Sequence, residues 1–256
     1  LIKKKTLLKK MENGFLMLKY KTHIIVVTGG NGRFASVLKK IKTKHKIYYP
    51  SKNELDITKP KLIKKYLEKK RATIVIHLAA LSRPMNLHDK NICKSINLNI
   101  IGTSNITCLC AEKKIKLIYF STSYVYPGIK GNYQENASLK PINNYAWSKL
   151  GGEASVQLYK NSLILRLCMT EKPFVHKVAF SNVITSFMYH EDVIKMLFKV
   201  INKKGILNIG GTPMTVYNFA KKDNKNVAKI KLFKNQKIGM PINSSMNINK
   251  MKKIIK

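Results

Sequence analysis

A tyrosine at 145 and a lysine at 149 stand four residues apart, a little over one helical turn. On a helix that spacing places both side chains on one face with Cβ atoms about 5–6 Å apart, so the ammonium can act on the phenol. A phenol with its ordinary pKa near ~10 is almost wholly protonated at neutral pH. A neighbouring cation favours the phenolate and brings the group towards the range in which it both gives and takes a proton. Proton transfer to a carbonyl also calls for a hydroxyl that holds the carbonyl oxygen. Ser121, Thr122 and Ser123 offer one directly after the apolar run from Lys116 to Phe120, where a strand would end and deliver its side chains to a cleft. Most tyrosine–lysine pairs at this spacing in a lysine-rich chain are solvated surface neighbours. The pair therefore gains meaning only if the chain also supplies a cofactor site.

Such a site is written near the start. The β-branched run His23 to Val27 leads directly into Thr28, Gly29, Gly30, Asn31, Gly32, Arg33, Phe34 and Ala35, and then into an apolar-periodic segment with Val37, Leu38 and Ile41. This reads as strand, glycine turn and helix. Gly30, Gly32 and Ala35 fulfil the dinucleotide fingerprint in its form with a final alanine. Glycines there let the backbone turn tightly and approach a pyrophosphate, which rests against amides at the helix start. Residues Gly29 to Phe34 are accordingly the expected cofactor contacts.

The later elements extend the pattern. Lys46 to Tyr49 reads as a second strand, followed by Pro50, Ser51 and Lys52 where an acidic residue would mark NAD. Ser51 and Lys52 suit a 2′-phosphate and tilt the cofactor towards NADP over NAD, with Glu54 near enough to reverse the preference. Asp56, flanked by Leu55 and Ile57, is placed to accept from an adenine amino group. Lys59 to Lys70 has helical periodicity, and Thr73 to Leu78 is a buried strand ending in Ala79 and Ala80, small enough for a cofactor to lie across. Asn91 to Lys114 carries a long helical pattern containing Asn97, Asn99, Gly102 and Thr103, and Lys116 to Phe120 is the strand that presents Thr122. Strands alternating with helices of this length predict an α/β chain with a doubly wound parallel sheet.

Composition narrows the partners. The chain has 256 residues and a formal net charge of +37, which invites a nucleic-acid or anionic-membrane reading. Only Arg33, Arg71, Arg83 and Arg166 among the 49 basic residues are arginine, whereas nucleic-acid interfaces lean on the planar guanidinium fork. The lysines are spread along the whole chain beside abundant Asn and Ile, so the charge reads as a codon-driven bias with no specific nucleic-acid partner. Cys93, Cys108, Cys110 and Cys168 have no paired metal spacing, and His77, His88 and His190 suggest none either. Buried free thiols in a reducing compartment and the lack of an 18-residue apolar window predict a cytoplasmic protein with no membrane span. Residues 1–21 read as a basic tail or an added short helix, with Met11 or Met17 as the expected true start.

These motifs, in this order, resemble the extended short-chain dehydrogenase/reductase family. The matches are the glycine turn Thr28 to Ala35, Asp56 after the second strand, Leu78 to Ala80, Asn99 to Thr103, and the constellation from Thr122 to Lys149. Leu163 to Arg166, Tyr189 to Val193 and Leu207 to Gly211 are similar to the family's later landmarks. Leu55 to Thr58 and Ser121 to Gly128 most resemble the dTDP-4-dehydrorhamnose reductases and their sugar-nucleotide-binding relatives, with NAD-dependent epimerases close by.

The resemblance implies a Rossmann-type sheet, a nicotinamide cofactor and a nucleotide-sugar substrate. It makes Tyr145 the catalytic acid, Lys149 its pKa-lowering partner and ribose ligand, and Thr122 the carbonyl-orienting hydroxyl, three residues before Val125 as the family spaces it. Asn99 and Ser121 then fall to the cofactor. Ser82, Ser123, Tyr124, Arg166 and His176 are the expected substrate contacts. Dehydratases of the family carry an acidic pair where this chain has Ser123 and Tyr124, which disfavours elimination of water. Reduction of a 4-keto sugar is the leading expectation, with a 4-epimerase or a non-catalytic sugar-nucleotide-binding subunit as alternatives and a homodimer as the assembly to test. The expected organisation is a cofactor domain over residues 22–166 and a small, shortened C-terminal substrate-binding lobe over 167–256, interleaved with late sheet elements at about 189–211.

Overall fold

The computed structural model describes residues 22–233 and 239–255; the tail expected over 1–21 lies outside the described residues. The chain opens with β1 (Ile24–Thr28), α1 (Arg33–Leu38), β2 (Lys46–Tyr48), α2 (Pro60–Lys70) and β3 (Ile74–His77). Two short helices follow, α3 (Leu87–Lys90) and α4 (Ile92–Ser95). A π-helical stretch, Ile96–Ile101, then runs into α5 (Gly102–Glu112). Next come β4 (Lys116–Thr122), a single 3-10 turn at Ser123–Val125, α6 (Asn144–Gln157) and β5 (Ser162–Leu167).

β1, β3, β4 and β5 are almost wholly buried along their length, which is why they are continuous apolar runs with no polar alternation: helices cover both faces of a parallel sheet. The six strands are ordered β10-β5-β4-β3-β1-β2, where β10 is Gly205–Ile209. Every pair is parallel. Strand order reverses between β1 and β3, and the crevice at the carboxyl ends of those strands is where such sheets receive ligands.

Past β5 the chain makes β6 (Met169–Thr170), β7 (Val178–Phe180), β8 (Ile184–Thr185) and β9 (Met188–Tyr189) before α7 (His190–Val200) and β10. β11 (Met214–Thr215), α8 (Val216–Ala220) and β12 (Ala228–Ile230) come after, and α9 (Asn249–Ile255) ends the chain. β7–β12 and β8–β11 form small two-stranded sheets around a separate apolar cluster of Phe174, Ala179, Val183, Val216, Phe219, Ala220 and Val227. The segment 173–188 thus contains short strands. The last helix differs more: Ile248 and Met251 pack into the sheet's own core with Val193, Leu197 and Ile209, so α9 covers the sheet and does not build the lobe. No helix among the described residues is long and apolar enough to cross a membrane.

Candidate active site

β4 delivers Thr122 at its last position, paired across the ladder with Leu167. The Thr122 hydroxyl caps the following turn by accepting from the Tyr124 amide at 3.2 Å. It also lies near enough to the Tyr145 phenol to lower its pKa. α6 presents that phenol because Asn143 stops the preceding chain: its side-chain oxygen accepts from the Ala146 amide at 2.8 Å, an N-cap that starts the helix two residues ahead of Tyr145. The Tyr145 ring is gripped edge-on by His88, with ring centroids 5.3 Å apart, and faces Tyr124 at 6.4 Å.

Lys149 is buried one turn on. Its Nζ stands 4.2 Å over the Tyr119 ring. Burial pushes its pKa down to about 7, with Glu153 pulling the other way. The shift of the phenol runs opposite to the lowering expected from its sequence spacing. Burial raises the Tyr145 pKa, and what opposes the rise is the Thr122 hydroxyl and then the charge of Arg83. The phenol is therefore protonated at neutral pH.

The glycine turn closes against the end of β3. Gly29 has φ +71, and a Cβ there would stand 2.8 Å from the Ala79 nitrogen, so glycine is required twice over. A Cβ on Gly30 would press on the Tyr49 backbone at 2.9 Å. Thr28 accepts from the Leu78 and Ala79 amides at 3.2 Å each. Gly29, Leu78, Ala79 and Ala80 are consequently gathered at one half-buried rim, with Asn31, Gly32 and Arg33 exposed beside it. This tight backbone cradle fits a dinucleotide pyrophosphate. Lys52 is exposed at the far end. Ser51 there is tied to Glu54, donating from its amide at 2.8 Å and its hydroxyl at 2.9 Å. Asp56 accepts from the Thr58 amide and hydroxyl at 2.9 and 2.7 Å. Ile57 is buried, and its carbonyl accepts from Asn105 at 3.0 Å.

Several expected ligand contacts turn out to be framework. Phe34 is buried edge-on against Phe120 and His190, with centroids 5.0 and 5.5 Å away, and offers a ligand only its backbone. The Asn99 amide is spent on both backbone groups of Leu81, at 2.7 and 2.9 Å, and on the Ser148 hydroxyl at 2.8 Å. Ser148 in turn donates to the Tyr145 carbonyl at 2.7 Å. Asn99 thereby fastens the loop after β3 to the helix that carries the phenol, from a π-helical stretch that turns it inward.

Arg166, expected as a substrate contact, is only 1% exposed and pairs with Glu153 at 2.6 Å. Its remaining donors go to the Tyr126 hydroxyl at 2.9 Å and the Glu135 carbonyl at 2.8 Å. Ser121, expected on the cofactor, donates to the same Glu153 carboxylate at 2.5 Å. A strand interior cannot carry a bare charge, so Arg166, Glu153 and Ser121 satisfy one another there. Of the other expected substrate contacts, Ser123 is fully buried behind Thr122 and Tyr124 is partly buried against Tyr145. Ser82 is exposed. His176 is exposed on the segment before β7, with its ring against Phe174.

Sequence reasoning missed His88, Glu153, Arg83 and Glu171. The pairs His88–Tyr145, Glu153–Arg166, Arg83–Glu171 and Arg33–Glu171 join positions separated by 13 to 138 residues and no local spacing marks them, although two of the four arginines, at 33 and 83, converge on Glu171.

Residues 23–185, more than half of the chain, match the RmlD substrate binding domain. The chain belongs to that family. The chain is 29% identical over 177 residues to a dTDP-D-glucose 4,6-dehydratase of Dictyostelium discoideum, covering 64% of this chain and 39% of that protein. It is 28% identical over 107 residues to a dTDP-4-keto-6-deoxy-D-glucose reductase of Streptomyces niveus, covering 41% and 37%. The matched segments thus span about two fifths of these curated relatives. Among solved structures, the dTDP-4-dehydrorhamnose reductase of Bacillus anthracis in complex with NADP superposes with a TM-score of 0.79 at 24% identity, covering 91% of this chain and 92% of that one. At that identity the likeness shows the shared Rossmann-type fold.

Proposed function

We propose that this member of the RmlD substrate binding domain family is an NAD(P)-dependent oxidoreductase that reduces a keto group, at C4 by preference, on a nucleotide-linked sugar. The observation that carries the reading is that Thr122, at the carboxyl end of β4, and Tyr145, at the start of α6, lie close enough for the Thr122 hydroxyl to act on the phenol, in the crevice whose other rim is the glycine turn. A carbonyl oxygen held by both hydroxyls accepts the Tyr145 proton as negative charge develops on it. The raised phenol pKa keeps that proton in place until it is needed, which suits an acid working in the direction of reduction. Bound nicotinamide would supply the hydride.

The residues that would hold the dinucleotide are Gly29 to Arg33 at the pyrophosphate, the rim Leu78 to Ala80, Asp56 at the adenine and Lys149 at the ribose. Lys52 favours NADP by placing a cation where a 2′-phosphate would lie. Burial of Thr122 and Lys149 and the packing of Tyr145 between His88 and Tyr124 keep water from the proton being moved. Residues 22–166 then act as the cofactor domain and the apolar cluster beyond residue 170 as the substrate lobe.

The test is direct. NADPH consumption is followed with dTDP-4-dehydrorhamnose and with a small panel of other nucleotide-linked keto sugars. Turnover by the wild type that disappears in Tyr145→Phe supports the reading. Equal turnover by both proteins removes it.

A further inference from the structure

Arg33 begins α1, and Arg83 sits in the loop after β3. Arg33 Nε lies 3.2 Å, and Arg83 Nη1 3.4 Å, from the same oxygen, Oε1 of Glu171 just past β6. The Arg33 and Arg83 side chains are 52% and 40% exposed, whereas Glu171 is 19% exposed. Burial pushes the Glu171 carboxyl up, but a backbone hydrogen bond and the two guanidiniums outweigh it and hold the group ionised. The neighbouring His190 is buried with its pKa held down, so it adds no positive charge at neutral pH. The cluster therefore sets two positive charges against one negative.

Its geometry is undersatisfied in the same sense. Arg83 spends a single N–H, at the long end of the hydrogen-bond range, on the shared oxygen, and Arg33 meets it only as an ion pair, although each fork offers five donors in a plane suited to bidentate oxyanions. Composition points the same way. In a chain where basic positions are lysine almost everywhere, arginine stands at both of these, and the fork is what lysine lacks. The cluster also bridges two regions: Arg33 follows the glycine turn directly, and Arg83 is close enough to Tyr145 to act on its phenol.

We propose that Arg33 and Arg83 form a diphosphate clamp in which the Glu171 carboxylate is a built-in competitor, displaced when a doubly charged diphosphate takes over the two forks. This rests on the nucleotide-sugar oxidoreductase reading and adds to it how the anion is gated. The diphosphate belongs either to the dinucleotide or to the nucleotide sugar. A singly charged or neutral ligand gains too little from the clamp to dislodge the carboxylate, so the device screens for diphosphates.

Calorimetric titration of the full chain with NADP and, separately, with dTDP tests this in the wild type, Arg83→Gln, Arg33→Gln and Glu171→Gln. Arg83→Gln is expected to weaken at least one diphosphate about tenfold, the loss of one charge-assisted contact, whereas Glu171→Gln tightens the same one about threefold. Opposite signs are the signature of a displaced competitor, and the ligand that responds names the source. Melting curves confirm folding, and Arg83→Lys, which keeps the charge without the fork, replaces the glutamine variant if that one is unfolded. Weakening by Glu171→Gln would mean that the carboxylate merely places the guanidiniums, and overturns the clamp. Wild-type binding that no variant changes overturns the clamp alone; a wild type that binds neither compound at millimolar concentration overturns the oxidoreductase reading with it.

Discussion

The ammonium of Lys149 stands 4.2 Å over the Tyr119 ring, and the Tyr119 hydroxyl donates back to the Lys149 carbonyl at 3.0 Å. The cation is thus seated on a buried, neutral phenol of β4, since burial holds the Tyr119 pKa well up. Its own pKa, pushed down to about 7, contributes with that of Lys116, pushed down by burial to about 8, to how the free protein responds to pH. Below about pH 7 the Lys149 amine is charged in both folded and unfolded chains and the burial penalty is complete. Between about 7 and the unfolded value of 10.5 the unfolded chain binds more protons, so stability rises with pH. Lys149→Met is expected to flatten that rise, read as denaturant midpoints from pH 7 to 10.

Removing the phenolic oxygen is the sharpest test of chemistry. Tyr145→Phe is expected to lower the rate of keto-sugar reduction by about 10²–10⁴-fold, with NADP affinity within twofold of wild type. Steady-state rates and a cofactor titration measure the two together.

Thr122 lowers a phenol pKa that burial raises. Thr122→Val is therefore expected to move the Tyr145 pKa further up, since the hydroxyl that favours phenolate is gone. An NMR titration of ring-labelled tyrosine, with Tyr145→Phe supplying the assignment, follows the shift. A pKa that stays put or falls would detach Thr122 from the phenol.

Arg166 and Glu153 form the one fully buried ion pair among the described residues. Arg166→Met alone is expected to cost about 3–5 kcal/mol by stranding the Glu153 carboxylate, while adding Glu153→Leu recovers most of the loss. Urea unfolding of the single and double variants checks this. A substrate-phosphate role would instead show as an affinity loss in the double variant at unchanged stability.

Gly152 lets α6 lie against the π-helical stretch. A Cβ there would come within 2.4 Å of the Asn99 carbonyl and 2.8 Å of the Tyr119 hydroxyl. Gly152→Ala is expected to cost about 1–3 kcal/mol and to lower turnover beyond the stability loss, because the helix that must move carries Tyr145. Melting temperature and kcat on the same preparation separate the two effects.

Sequence alone determined the sheet, the glycine turn and the placement of Thr122 at the end of β4 with Tyr145 and Lys149 on the following long helix. Each is a local pattern: β-branched runs buried on both faces, glycines where backbone meets backbone, and side chains at helical spacing. Tertiary structure alone decided what surrounds each group. Arg166, Ser121 and Asn99 are polar residues whose hydrogen bonds are used up inside the protein, while Arg83 and Glu171 become an ion cluster only when the β3 loop, α1 and the segment after β6 meet. The direction of the Tyr145 shift was decided there as well. Desolvation depends on every atom packed around a phenol, and no spacing along a chain encodes that sum.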